Sequence, residues 1–541
     1  MNGLETHLVV VPIVLPLFAA GVTLLFNERR RNLRATISFI TTSALLVVAL
    51  ALLFASSDVG PHQGAATVYV LGNWPAPFGI VLVADRLSAM MLALNSVLGL
   101  AVLLFSLARW DRAGPRFHAL FMLLLMGVNG AVLTGDLFNL FVFFEVLLAA
   151  SYGLVLHGAG LPRVKAGMHY TVINLAASSL FLIGVSAIYG ATGTLNMADL
   201  AARIPSLAGA ERTVFEIGCA ILGIAFLVKA GAWPLGFWLP STYSAASAPA
   251  AAMFAILTKV GVYVVIRLSL LLFEDATSAS AGFGRQWLTA AGLLSIGSGT
   301  IGVLASRSMS RIAGYCVLLS SGAILAVVGI GGQAALAGAL YYLLSSTLAM
   351  SAFFLLIELI NRARGTTGPA ITAAVFNDEY RDPYEDGTET DEVGVIIPAA
   401  VGLIGGGFVM SALLLAGLPP LSGFIGKFAI MSAVLPQEGA IPAQSWILIG
   451  LLTVSSLATL VALARVGIEV LWTPSDRPPP TVRGVEFWAI AALLGASVAL
   501  TVEGGLVMRY VNSTAVWLQA PQDYINAVLA PSPPHVPEAI P

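Results

Sequence analysis

Charge is scarce in this chain: Asp, Glu, Lys and Arg make up 10% of its 541 residues, where soluble domains carry about 25%. With 58% of the residues hydrophobic, a water-soluble globule could not hide its apolar surface, and that class is excluded. The formal net charge is -2, and no Lys/Arg-rich run is interleaved with aromatics, so binding to nucleic acid or another polyanion is excluded as well. Cysteine is nearly absent. Cys219 and Cys316 sit in apolar runs without CxxC or Cys/His spacing, which excludes a disulfide framework and a thiolate metal site and leaves two small core residues. No GxGxxG fingerprint with a following acid in a βαβ setting occurs, so no redox cofactor and no bond-making catalysis are expected.

Apolar runs, in contrast, fill the chain almost end to end. A crossing needs roughly 20 apolar residues to span a hydrocarbon core of about 30 Å. Such runs lie near residues 8–26, 35–55, 83–107, 117–134, 137–156, 166–190, 214–232, 249–273, 287–306, 311–330, 334–360, 395–416 continuing to 435, 445–469 and 485–503. They predict an all-α integral membrane protein of about fourteen transmembrane helices. The first run lacks a small-residue cleavage site and reads as a retained helix.

With the N-terminus outside, the inner loops hold sixteen Lys and Arg residues, and the outer side holds five: Arg86, Arg203, Arg212, Arg285 and Arg509. The positive-inside tendency therefore predicts both termini outside the cytoplasm and an even number of spans. One inner loop differs, because residues 378–392 carry eight acids and one arginine; it reads as a solvated loop. Residues 504–541 read as an outer-surface helix followed by a proline-rich end.

Two segments echo one another. Ala230-Gly231-Ala232-Trp233-Pro234-Leu235-Gly236-Phe237 resembles Ala416-Gly417-Leu418-Pro419-Pro420-Leu421-Ser422-Gly423-Phe424, about 186 residues further on. Gly231, Pro234, Gly417, Pro419 and Pro420 interrupt apolar spans, where Pro removes a backbone donor and frees carbonyls. Such backbone survives in a bilayer only when it is buried in protein or lines a wet cavity. Paired breaks in two halves of a chain mark a transport site between inverted repeats.

The charged residues inside the spans carry the chemistry. The chain has 22 arginines but only four lysines, and three of those four, Lys229, Lys259 and Lys427, lie in apolar runs. Each would cost about 3 kcal/mol if left ionised at mid-bilayer. Arginine holds its proton in any setting, whereas a buried lysine can release it, so this division of labour fits groups that gain and lose protons. Lys229 stands two residues before Gly231, Lys427 four residues after Gly423, and Lys259 one span beyond the first break. Glu145, in LFNLFVFFEVLL, has no basic residue within a helical turn and must meet a cation from another helix; Lys229 is the expected partner. Closing that pair favours both charges, and parting it lets the amine release its proton. Asp136 reads as a helix N-cap first and an outer-mouth carboxylate second. His169, Asn174, Ser345, Ser346, Thr347, Glu358 and Glu469 could extend a hydrogen-bonded chain, with packing or capping as the plainer reading of each.

These residues resemble a known family. Thr134-Gly135-Asp136-Leu137-Phe138-Asn139-Leu140-Phe141-Val142-Phe143-Phe144-Glu145-Val146, Lys229-Ala230-Gly231-Ala232-Trp233-Pro234 and Ser247-Ala248-Pro249 before Lys259 are similar to the D-type component of the multisubunit Na⁺/H⁺ antiporters of Mrp, Mnh or Pha type. That component is homologous to the antiporter-like proton-pumping subunits of respiratory complex I. The resemblance runs from the first span to about residue 505. It implies fourteen helices with two inverted five-helix repeats and broken seventh and twelfth helices, divided as 1–108 (helices one to three), 117–273 (first repeat), 286–470 (second repeat, interrupted by the acidic inner loop 361–394) and 483–541 (last helix and outer tail). It also implies a proton relay in which Glu145 pairs with Lys229, Lys259 connects and Lys427 terminates. The family commonly has a histidine where this chain has Ser345, and a serine cannot store a proton at neutral pH.

The expected function is therefore that of one subunit of a hetero-oligomeric Na⁺/H⁺ antiporter in a bacterial cell membrane, with K⁺ or Li⁺ as alternative cations. Its partners are the other subunits, the transported ions and the lipid bilayer. Two alternatives are a proton-pumping subunit of a redox complex and a stand-alone solute transporter.

Overall fold

A computed structural model describes residues 6–27, 30–57, 66–74, 76–158, 160–275, 278–363, 399–435, 441–471 and 482–530. The acidic stretch 378–392 lies outside the described residues. Helix dominates, and ten described helices are long and apolar enough to cross a membrane.

The chain opens with α1 (Val11–Leu25) and α2 (Arg31–Ala55). Pro16 inside α1 cannot donate to the carbonyl of Pro12, and the Asn129 side-chain amide fills that vacancy at 2.8 Å. A two-stranded antiparallel hairpin, β1 (Thr67–Val70) with β2 (Val81–Ala84), precedes α3 (Arg86–Ala108). The run predicted from residue 83 thus begins as a strand. Its alternation was hidden because all four residues of β2 are apolar and buried.

Next come α4 (Phe117–Leu133), α5 (Leu137–Val155), α6 (Leu161–Thr192), the short α7 (Met197–Arg203) and α8 (Gly209–Lys229). A turn leads to the short α9 (Leu239–Ala245) and then α10 (Ala248–Phe273). The following helices are α11 (Arg285–Ala305), α12 (Met309–Ile330) and α13 (Gln333–Ala363). The run 395–416 continuing to 435, expected to be interrupted at Gly417, Pro419 and Pro420, forms two helices, α14 (Ala399–Ala416) and α15 (Ser422–Ala433). Then follow α16 (Ala443–Leu471) and α17 (Gly484–Val502), and the tail forms α18 (Gly504–Leu518) and α19 (Pro521–Leu529).

Burial separates a central row from a perimeter. In α3, α10, α12 and α13 the apolar windows are 78–94% buried, against 33–44% in α2, α5, α6, α11, α16 and α17. Two of the central helices carry residues that the sequence marked, Lys259 on α10 and Ser345 on α13, and a third, α12, carries the hydroxyls that Lys259 reaches.

Two ends of the bundle are fastened by ions. At one end Arg31 pairs with Asp111 at 2.5 Å and reaches the Leu107 carbonyl, Arg362 pairs with Glu486 at 2.7 Å, and Arg483 donates to the Ala108 carbonyl at 2.5 Å. At the other end Arg267 closes a two-pronged pair with Asp85 at 2.6 and 2.7 Å. Asp85 also caps α3 by accepting from the Ser88 backbone, and it accepts from the Trp517 indole at 3.2 Å. Tyr263 and Tyr524 flank the guanidinium with their ring centres 5.7 and 5.2 Å away. The tail helices are thereby locked to the first and middle parts of the chain.

Candidate functional site

Both helix breaks are built alike. Gly231 and Gly417 take left-handed backbone, φ 71° and 74°, which glycine adopts without a Cβ penalty. In each, the residue after the glycine donates five residues back: Ala232 to the Leu227 carbonyl at 2.9 Å and Leu418 to the Leu413 carbonyl at 3.0 Å. This is the Schellman closure of a helix C-terminus, repeated 186 residues apart in the two segments whose sequences echo one another. The bonds Trp233–Pro234 and Pro419–Pro420 are cis. Freed backbone groups find side chains. The Trp233 amide donates to Ser295 Oγ at 2.8 Å, and the Trp238 indole donates to the Val228 carbonyl at 3.3 Å.

Lys229 is the last residue of α8 and is buried. Its Nζ donates to Ser178 Oγ at 3.3 Å and lies 5.1 Å from the Phe144 ring centre. Ser178 in turn donates a short hydrogen bond to Glu145 Oε1. The expected Glu145–Lys229 pair is therefore bridged, not direct: among the described residues no Glu145 ion pair falls within 4.0 Å. The bridge arises because α6 passes between the elements that carry the two charges, and Ser178 is small enough to stand there.

Lys259 lies mid-way along α10, 1% exposed, and its Nζ donates to Ser320 at 2.5 Å and Ser321 at 3.2 Å. The helix approaches the first break closely. A Cβ on Gly261 would stand 2.8 Å from the Ala230 nitrogen and 3.0 Å from the Lys229 carbonyl carbon, so only glycine allows this contact.

Lys427 is buried in α15, and its Nζ donates to the Ala416 carbonyl, the last of α14, at 3.0 Å and to Ser456 Oγ at 2.8 Å. The amine thus fills an acceptor that the second break leaves open. Between Lys259 and Lys427, Ser345 shares a 2.8 Å hydrogen bond with Ser422, the first residue of α15. All three lysines end on serine hydroxyls, and among the described residues neither Lys259 nor Lys427 has an acidic partner.

The secondary residues divide. Asp136 caps α5, its Oδ1 accepting from the Asn139 amide at 2.8 Å. Asn174 donates to the Tyr170 carbonyl at 2.9 Å, and Thr347 and Ser346 both donate to the Leu343 carbonyl. His169 lies on the exposed side of α6, and Glu469 is exposed near the end of α16, so the structure brings neither to the lysines. Glu358 lines a cavity of about 210 Å³ with Arg163, Tyr243, Ser244, Ser310 and Asn361. One Glu358 oxygen lies 3.6 Å from Arg362 Nε.

Sequence reasoning missed Ser178, Ser320, Ser321, Ser422 and Ser456, and it missed the Asp85–Arg267 pair. Serine is common in apolar helices and carries no signal of its partner. Arg267, deep in the eighth predicted span, was the one available clue, since a non-titrating charge at that depth needs a carboxylate.

Known proteins share this architecture. Residues 134–379 match the family model described as "NADH:quinone oxidoreductase/Mrp antiporter, TM". The chain is 53% identical over 530 residues to the D-type component of a probable K(+)/H(+) antiporter of Rhizobium meliloti, covering 97% of this chain and 98% of that protein. It is 34% identical over 530 residues to the D-type component of the Na(+)/H(+) antiporter of Alkalihalophilus pseudofirmus, covering 97% and 99%. A chain of the solved Mrp complex from Dietzia sp. DQ12-45-1b superposes with a TM-score of 0.80 at 28% identity, covering 97% of this chain and all of that one.

Proposed function

This chain belongs to the D-type family of membrane components of multisubunit monovalent cation/proton antiporters, and from that premise we propose how its buried lysines move protons. It is a membrane subunit of a hetero-oligomeric transporter, not an enzyme. The transported cation is read as K⁺, because the relative at 53% identity carries that ion in its name while the one at 34% carries Na⁺.

The observation that carries the mechanism is the Ser178 bridge between Lys229 and Glu145. As the ammonium gives its proton to the serine oxygen, the hydroxyl gives its own to the carboxylate. One amine and one carboxylic acid, both neutral, replace two buried charges. The reverse step restores the pair. Helix ends at the break supply the polar surroundings that favour such switching. Lys259 relays to the Ser320 and Ser321 hydroxyls, and the Ser345–Ser422 pair passes protons onward without storing them. Lys427 ends the line at the second break. The cavity beside Glu358 is the inner mouth, where a carboxylate among hydroxyls collects protons.

Fourteen crossings follow if α1, α4, α8 and the broken α14–α15 join the ten longer helices. The matched glycine closures support reading 117–273 and 286–470 as inverted repeats, with 1–108 ahead of them and 483–541 after them. The arginine bias supports termini outside the cytoplasm.

The test is to express the whole complex in everted vesicles that lack other antiporters and follow collapse of a pH gradient on adding KCl or NaCl. Cation-driven collapse is expected with the complex and not with this chain alone. Activity of the chain alone, or co-purification with flavin or iron-sulfur proteins, would contradict the proposal.

A further inference from the structure

We propose that the cleft between α8, α10 and α11 is a binding site for a membrane phospholipid, with an acyl tail in the cleft and the phosphate beside Arg285. The cleft encloses about 530 Å³ and is walled by residues 219–227 of α8, 265–273 of α10, and Gly284 with the first turns of α11 to residue 294. Nine to eleven helical residues rise about 12–15 Å from first to last, half of a hydrocarbon core of about 30 Å. The cleft therefore has the depth of one leaflet. Trp233, Pro234 and Leu235 of the first break close its inner end.

That dead end selects the occupant. A partner's transmembrane helix must cross the whole core and would run into the break, whereas an acyl tail stops at mid-bilayer. The walls offer a polar ligand almost nothing, since the hydroxyl of Ser269 is already bonded to the Val265 carbonyl at 2.6 Å. The open end has the features of a membrane interface. Trp287, in the first turn of α11, is 79% exposed, as tryptophans at headgroup level are. Arg285 adjoins the lining residue Gly284, its Nη2 bonds Glu274, and its side chain is 38% exposed. A guanidinium fork has five donors, so a phosphate can share the group with Glu274. Arg212, near the same end of α8, is 40% exposed beside Glu216.

The floor of the cleft is the turn that follows Lys229, so a bound tail packs directly on the first break. This holds whether or not the proton relay runs as proposed above, because the site rests on the shape and apolarity of the cleft and on Trp287 and Arg285 at its mouth.

The test uses the purified complex in nanodiscs containing phosphatidylglycerol with a photoactivatable diazirine in its acyl chain, and mass spectrometry of the labelled peptides. Label is expected on 219–227 and 284–294 at a level at least about fivefold above that on the exposed side of α6 around Leu182 and Ile183. Gly223→Phe should fill the cleft, since a Cβ there meets no atom within 4 Å. It should lower cleft labelling at least about fivefold and leave α6 labelling unchanged; Gly223→Leu serves if the phenylalanine variant fails to assemble. Equal labelling of cleft and α6, persistence of label in both variants, or capture of another subunit's peptide in the cleft would overturn the proposal.

Discussion

At the scale of single residues, the arrangement turns on hydroxyls that the sequence did not single out. The lysines were legible because a charge in hydrocarbon needs a reason. Ser178, Ser320, Ser321 and Ser456 were not, because a serine in an apolar helix is tolerated without one. Ser178→Ala should leave Glu145 and Lys229 unbridged and lower the antiport rate roughly tenfold or more, while Ser178→Thr keeps the hydroxyl and most of the rate. Vesicle antiport assays on both variants decide this; unchanged activity in the alanine variant would remove the bridge from the mechanism.

Asp111, in the turn Trp110–Arg112 outside the spans, offers a pH test. Burial pushes its pKa up, but the Arg31 guanidinium, bonded to both carboxylate oxygens at 2.5 and 2.7 Å, together with the His118 ring 3.8 Å away, outweighs that and holds it below the usual carboxylate range. A depressed carboxylate contributes stability above its unfolded pKa of about 4, and that contribution fades as pH falls through the folded value. Thermal unfolding in detergent should therefore show a loss below about pH 4 that Asp111→Asn flattens. An identical acid slope in both proteins would contradict the assignment.

At the scale of elements, the breaks were readable and their closure was not. Gly and Pro inside apolar runs announced that two helices stop. The groups that complete them, Ser295 at the first and Lys427 on Ala416 at the second, come from helices distant in sequence or from beyond the break. The β1–β2 hairpin went unread because β2 is buried and apolar throughout, like the start of a span. The lock at the opposite end of the bundle shows the same limit: Arg267 and Asp85 are 182 residues apart. Removing one member of such a pair leaves a buried charge uncompensated, at about 3–5 kcal/mol. Arg267→Met should therefore lower thermal stability of the complex sharply, and adding Asp85→Asn should recover part of the loss. If the double variant were no more stable than the single one, the pair would not be the source.

At the scale of the whole molecule, the sequence distinguished membrane from water but not centre from perimeter. Lipid tails are as apolar as a protein core, so α10 and α12, enclosed by protein, read no differently from α6 and α16, which face outward. Three lysines spread over 198 residues could be marked as one system, yet that Lys259 lies on a helix enclosed by protein was a property of packing alone. The central helices keep Lys259 and its serines from lipid; α10 packs on the first break at Gly261, and α15, which follows the second break, packs on α13 at Tyr342.

The central claim is that Lys229 works by giving up a proton and not merely by being positive. Arginine keeps the charge and the length but does not deprotonate, so Lys229→Arg separates the two roles where Lys229→Ala cannot. Cation-driven collapse of a pH gradient, measured in everted vesicles carrying the assembled complex, should be abolished in both variants. Antiport retained in Lys229→Arg and lost in Lys229→Ala would show that a fixed charge suffices, and the proton relay would be wrong.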